Sequence, residues 1–402
     1  MVLRDVTNRT RRSVLGFAAA LSAGGLAGCL DSLGADSPAG ETDAIGDTGA
    51  DGATDRGTST NGERGLPTRE TPLVVSDSTK RLRENVVGGG PGKDGIPSID
   101  DPRFESVDDV GDRLHPNEPV FGLEVDGEAK AYPQYVLVWH EIANDVVGDV
   151  PVAVTYCPLT GTVMAFERGS IEFGVSGTLV NSNLVMYDRE TDSRWPQVLG
   201  TAIEGAFEGE SLVERPVTWT SWKHWRDANP EGVVLTEDTG SVRDYGRDPY
   251  GSYNPKTRYY SSDSFLFSPI RRSDALHPKD VVHGVRTSDG AFAASESVLA
   301  SERVVAGSAG STDAVLVYDP SFEAGVAYAN PEGVAVARDG DQYVVAGERR
   351  PADDLGLERL PSMDAMFFAW YAFYPDGELV ATADDARRPT ALRRAGEEVR
   401  SP

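Results

Sequence analysis

Past its first 75 residues the chain sets short β-branched and aromatic runs between Gly, Pro and Asp turns, the pattern of strands rather than of long helices. Pro119–Val125, Val150–Tyr156 and Thr162–Phe166 read as strands. Leu184–Tyr187 and Trp195 flank a polar turn at Glu190–Ser193 that suits a hairpin. Two stretches carry helical spacing. One covers 132–144, with Pro133 in its first turn and Val136, Leu137, His140 and Ala143 on one face. The other covers 219–228, where Trp222 and Trp225 share a face. The expected fold is mainly β with a few helices, a β-rich α+β body.

The pattern also repeats. Asp112-Arg113-Leu114-His115-Pro116 returns as Asp274-Ala275-Leu276-His277-Pro278, and Gly122 then matches Gly284. Val154–Pro158 faces Val315–Pro320, and Trp225–Pro230 parallels Trp370–Pro375. Matches that keep one order imply two related lobes from an internal duplication, 95–237 and a degenerate 268–380. A Tyr/Asp/Gly-rich connector, 238–267, joins them, and 381–402 reads as a flexible tail.

The first 75 residues read as address and tether. Thr10-Arg11-Arg12-Ser13-Val14-Leu15-Gly16-Phe17 resembles a twin-arginine export signal, and Leu26-Ala27-Gly28-Cys29 resembles a lipobox. The apolar stretch between them is too short and too Gly-rich for a membrane span. Residues 1–29 are therefore expected to be a signal that leaves a lipidated Cys29. Residues 30–75 are acidic and rich in Gly, Ser, Thr and Asp, so they bury too little to order themselves and read as a disordered tether. The expected location is extracytoplasmic, with the membrane as partner through the lipid on Cys29.

Composition narrows the function classes. Of 402 residues, 38 are Lys or Arg and 64 are Asp or Glu, for a net charge of −26. That balance excludes a nucleic-acid binder working by phosphate neutralisation. Two cysteines exclude a disulfide scaffold and every four-cysteine metal site. Six lysines beside 32 arginines, together with the acid excess, are the composition of a halophile, where the Debye length falls to about 3 Å at 1 M salt. The acidity then needs no acidic partner to explain it.

With Cys29 lipidated, Cys157 is the one free thiol, and it sits where a strand enters the turn Pro158-Leu159-Thr160-Gly161. Its counterpart in the second lobe is Asp319, so the slot is not simply a dry apolar hole. His140 is either a core histidine or a partner of Cys157. A metal site on Cys157 and His140, holding copper or zinc, would need at least one further ligand. His115 and His277 occupy equivalent Leu-His-Pro turns and read as structural. Asn144, Asp188 and Arg189 are candidates for binding groups behind the pair, although Asp188 and Arg189 equally suit an ion pair at a hairpin end. No nucleophile elbow, phosphate loop or zinc helix is present in the sequence.

These motifs resemble those of the domain-of-unknown-function family DUF3179. The carrying residues are Trp139-His140-Glu141-Ile142, Asn144-Asp145, Thr155-Tyr156-Cys157-Pro158-Leu159 with Gly161-Thr162, and Gly174-Val175-Ser176-Gly177. Ser182–Gln197 adds Asn183, Met186-Tyr187-Asp188-Arg189 and Trp195. The likeness is tight over about 130–200 and weaker to about 376, and the chain looks like a haloarchaeal-type twin-arginine lipoprotein member. Resemblance implies no established activity. The family's usual Cys-Pro-Leu-Cys-Gly has Thr160 at its second cysteine here, so a dithiol in this loop is impossible. Three readings remain open: a ligand- or soft-metal-binding lipoprotein with its site at Cys157 and His140, a thiol-dependent enzyme with Cys157 as nucleophile and His140 as base, and a surface interaction module without a site.

Overall fold

The structure, a computed structural model, describes residues 65–386. The expected signal with Cys29, most of the expected tether and residues 387–402 lie outside the described residues. The body is mainly β, as expected, with six short α-helices among the described residues. None of them is long and apolar enough to cross a membrane.

In the first lobe, Pro119–Val125 pairs antiparallel with both Thr218–Ser221 and Glu128–Pro133. Glu128–Pro133 pairs in parallel with Val233–Leu235, whose other edge takes Phe104–Ser106. A second sheet orders Glu214–Arg215, Thr162–Glu167, Val150–Cys157 and Ile142–Val147. A third, Val87–Gly88, Phe173–Val180, Asn183–Asp188 and Arg194–Pro196, includes the expected hairpin, with Trp195 opposite Met186.

In the second lobe, Val281–Arg286 likewise pairs antiparallel with Ser362–Met366 and with Ala291–Ser295. Ala291–Ser295 again takes a parallel neighbour, Glu378–Val380. Val304–Ala309, Thr312–Asp319 and Ala324–Ala329 form the next antiparallel set. Each lobe closes a tryptophan over a glycine. A Cβ on Gly122 would lie 1.9 Å from the Trp225 ring, and one on Gly284 would lie 2.1 Å from Trp370, so only glycine fits either strand. Cys157 ends the strand Val150–Cys157, and Asp319 ends the strand Thr312–Asp319. Glu141 precedes Ile142–Val147 and Arg303 precedes Val304–Ala309, and both have a left-handed backbone.

The lobes exchange bonds. Met366 N donates to Thr160 O over 2.8 Å, and Thr220 Oγ1 donates to Phe322 O over 2.5 Å. Arg286 of the second lobe makes a buried ion pair with Glu214 of the first. The largest apolar core spans both lobes and the connector, from Phe173 and Trp195 through Tyr260 to Met366 and Phe368.

Four boundaries differ from expectation. The helix expected over 132–144 is only Gln134–Leu137, because Val147-Gly148-Asp149-Val150 folds as a tight hairpin and claims Ile142–Val147 as a strand. Gly148 and Asp149 both have positive φ, as a two-residue hairpin turn of this twist requires. The expected tether ends early: Leu66 and Leu73 are buried, Arg69 N donates to Ser211 O and Val74 N to Thr287 O, both at 2.8 Å. Two leucines and a backbone pairing are enough to order this polar stretch. The expected tail begins late, since Ala381 accepts a bond from Ser295 Oγ and Ala383–Ala386 is a short helix. The helix expected over 219–228 starts at Trp222, where Ser221 caps it through a bond accepted from the His224 amide.

Candidate active site: a thiol, a carboxyl and an amine in the core

Cys157 ends its strand opposite Thr162 and enters the turn 158–161. Connector and second lobe clamp this turn: Tyr259 Oη donates to Leu159 O over 2.8 Å, and Met366 N to Thr160 O. Cys157 is 1 % exposed. It accepts from the Leu184 amide at 3.4 Å and lies 3.7 Å from Ser182 O. Burial pushes the thiol up to about 11, and the nearby Glu141 carboxyl pushes the same way, while Thr160 and the Leu184 amide pull it down. Thr160, at the position of the family's second cysteine, thus serves the first as a hydrogen-bonding neighbour. Its own hydroxyl accepts from Asn183 Nδ2 at 3.1 Å.

Glu141 immediately precedes the neighbouring strand, with φ of 60°, a conformation that costs a non-glycine residue energy. Its carbonyl accepts the Tyr156 amide at 2.7 Å, which fixes it beside the Cys157 strand. The side chain is buried, and burial pushes its carboxyl up to about 8. It has no hydrogen-bond or ion-pair partner among the described residues. It opens instead on a cavity of about 300 Å³ whose other walls include Leu159, Leu184, Tyr250, Leu266 and Phe267.

Lys279 is a third buried ionisable group, near enough to Cys157 for the two charges to influence one another. Its Nζ lies 3.5 Å from the Tyr259 ring centroid and 4.5 Å from that of Phe368, and it is buried without a hydrogen-bond acceptor among the described residues. Burial pulls its ammonium down to about 7, against an upward pull from Cys157. Near neutral pH about half of this amine is in the free form that accepts a proton or attacks a carbonyl, as buried lysines do.

Glu141 and Lys279 both escaped the sequence reading. The helix expected over 132–144 put His140 on the buried face and turned Glu141 away, whereas the strand starting at Ile142 brings Glu141 inward. For Lys279 a signal was present: it is one of six lysines in a lysine-poor chain, and the matching residue after the first Leu-His-Pro turn is Asn117.

The structure places the other expected residues in separate networks. His140 is fully buried, with Nδ1 2.8 Å from Pro97 O and Nε2 2.7 Å from Tyr245 Oη. A carbonyl only accepts, so Nδ1 carries the proton and Nε2 accepts from the phenol. Burial further lowers the ring's proton affinity. A neutral imidazole with both nitrogens engaged must break one of these bonds before it serves a metal or the thiol. Asn144 ties Asp100 to the Phe173 backbone, donating at 2.8 and 2.9 Å and accepting at 3.0 Å. Asp188 gathers the hairpin turn through Thr191, the Ser193 amide and Trp195 Nε1. Arg189 pairs with Asp100 and Glu172 at 2.9 and 2.8 Å. His115 and His277 each accept at Nδ1 from the backbone amide two residues on, at 3.2 and 3.1 Å. Among the described residues, no three His, Cys, Asp or Glu side chains are grouped as metal ligands would be.

Compared with known proteins, residues 93–377 match the family model described as a protein of unknown function, DUF3179. No curated protein and no solved structure matches the chain.

Proposed function

The chain belongs to the DUF3179 family, whose function is unknown, and we propose that this member is an exported lipoprotein, anchored outside the cell membrane through Cys29, that binds a small ligand at the Glu141–Cys157–Lys279 centre. The observation that carries the reading is Glu141, a buried carboxyl without a partner among the described residues, opening on an otherwise apolar cavity. A ligand head group that bonds to it supplies the partner that the described residues do not, a gain of about 0.5–1.5 kcal/mol. The cavity suits a mostly apolar molecule with one hydrogen-bonding head.

We further read the two lobes as an internal duplication, supported by the matched strand registers and by the two Trp-over-Gly contacts. On that reading Arg303 and Asp319 fill in the second lobe the places of Glu141 and Cys157 in the first. A fold that accepts either pair does not itself require the thiol and carboxyl, which favours a functional role for them.

An enzyme remains the second reading, and Lys279 favours it. Cys157 with its pKa near 11 is a poor nucleophile, whereas an amine near 7 is a good base at neutral pH. A soft metal such as copper or zinc on Cys157 would have to take ligands other than His140 in its present bonding.

The test is solvent extraction with mass spectrometry, and elemental analysis in parallel, on the full chain purified from membranes in high salt. A near-stoichiometric organic molecule that is lost in Glu141→Gln is the expected result. Equal recovery from wild type and Glu141→Gln, or none from either, would remove the proposal. Stoichiometric copper or zinc lost in Cys157→Ser would replace it with a metal site.

A further inference from the structure

A second polar cluster occupies a different cavity, of about 220 Å³, between the lobes. His283 lies opposite Asp364 across paired strands, with Nδ1 2.8 Å from the carboxylate. The carboxylate accepts, so Nδ1 holds a proton, and in the neutral ring Nε2 is left as an acceptor. That nitrogen is buried and has no hydrogen-bond partner among the described residues, while the residue is only 5 % exposed. The imidazole packs flat against the strand Ala324–Ala329, where a Cβ on Gly325 would come within 2.6 Å of it. Tyr253 Oη, also buried, likewise has no partner among the described residues.

Around this nitrogen the walls are aromatic and the charge is negative. Trp219 packs at a tilt against Tyr253 with centroids 4.9 Å apart, and Tyr318 lines the same space. Glu296, Glu323 and Asp364 face Lys256, three acids to one base. Glu296 stands at the solvent-exposed mouth, and the crowding of the cleft together with Asp364 pushes its carboxyl up. None of this is dictated by the fold. In the first lobe the positions of His283, Asp364 and Glu296 are held by Phe121, Trp219 and Gln134, in the same strand register and at the same first helical residue.

We propose that this cavity is a second ligand site, independent of the Glu141–Cys157–Lys279 centre, and that it takes a small organic cation, an amine or guanidinium, which donates an N–H to His283 Nε2. An acceptor nitrogen selects an N–H donor, the acids select positive charge, and the rings of Trp219, Tyr253 and Tyr318 offer faces to a cation. The volume matches about seven waters, room for a molecule of that size and no more.

The test uses equilibrium dialysis of the full chain at fixed salt and neutral pH with two probes, agmatine and putrescine, which separate guanidinium from ammonium recognition. One saturable site for at least one probe is expected. Glu296→Gln should weaken binding at least tenfold, as should His283→Phe, which installs the residue that the first lobe carries there. Glu332→Gln, which removes an exposed acid outside the cavity, should not. If His283→Phe fails to fold by near-ultraviolet circular dichroism, the His283 Nε2 resonance of the wild type, followed by nitrogen NMR, must shift on addition of the probe. No saturable binding of either probe, equal binding by the Glu296 variant, or an unmoved Nε2 resonance would overturn the proposal.

Discussion

The amide of Tyr156 donates to the carbonyl of Glu141 over 2.7 Å, and this one backbone bond sets a partnerless carboxyl beside the thiol that follows Tyr156 in the chain. The carboxyl reports on the thiol and the thiol on the carboxyl. With its pKa pushed up to about 11, Cys157 is expected to be about one part in a thousand thiolate at pH 8 and nearly inert to thiol reagents in the native protein. Glu141→Gln should move thiolate absorbance to lower pH, with Cys157→Ser identifying the signal. A titration unchanged by Glu141→Gln would show that the two groups do not interact.

The same burial makes folding depend on pH in two opposed ways. Glu141 has a folded pKa near 8, above the ordinary range near 4.3, so the folded chain holds a proton that the unfolded chain has released between those values. Its contribution is full at low pH and lost as pH rises to about 8. Lys279, near 7 when folded and about 10.4 when unfolded, acts in reverse, and stability rises across that window. Urea unfolding at about pH 5, 7 and 8.5, below the range where Cys157 titrates, should show Glu141→Gln removing the fall between the first two and Lys279→Met removing the rise between the last two.

His140 is bonded at both ring nitrogens, and its bond to Tyr245 offers a clean deletion. Tyr245→Phe leaves Nε2 buried and unpaired, for an expected loss of about 1–3 kcal/mol in unfolding free energy. The Cys157 titration should stay where it is. A shift of the thiol pKa in that variant would instead tie His140 to the centre.

Between the lobes, the Arg286–Glu214 pair is buried on both sides. Glu214→Ala strands a buried guanidinium and should cost about 3–5 kcal/mol. Replacing both partners at once, Arg286→Met with Glu214→Leu, should cost much less, because the remaining charge goes with its partner. Equal losses in the single and double variants would show that packing rather than charge carries the contact.

Much of the fold was legible because it is written in local signals. Gly122 and Gly284, with Trp225 and Trp370, recur in order along the chain, and each pair meets in space. The strands at 119, 150 and 162 declared themselves by β-branched runs. The stretch 132–144 did not, since its apolar spacing suits a helix until the Gly148-Asp149 turn claims its end, from Ile142, for a hairpin. That misreading also hid the centre. A helix face selects His140, whereas a strand start with left-handed backbone selects Glu141. Cys157 was found because it is the one thiol of the body. Lys279 lies 122 residues further along the sequence and comes to the centre only through the packing of connector aromatics such as Tyr259. No local pattern encodes such a meeting.

The bonds that cross between the lobes have a mechanical consequence. The Thr160 carbonyl, in the turn that carries Cys157, has its amide partner on Met366, and the Phe322 carbonyl has its hydroxyl partner on Thr220. Severing the lobes would break both bonds and divide the apolar core that runs through them, so neither half is a finished domain on its own. The molecule should melt as one cooperative unit, and both cavities should appear and vanish with it rather than with either lobe.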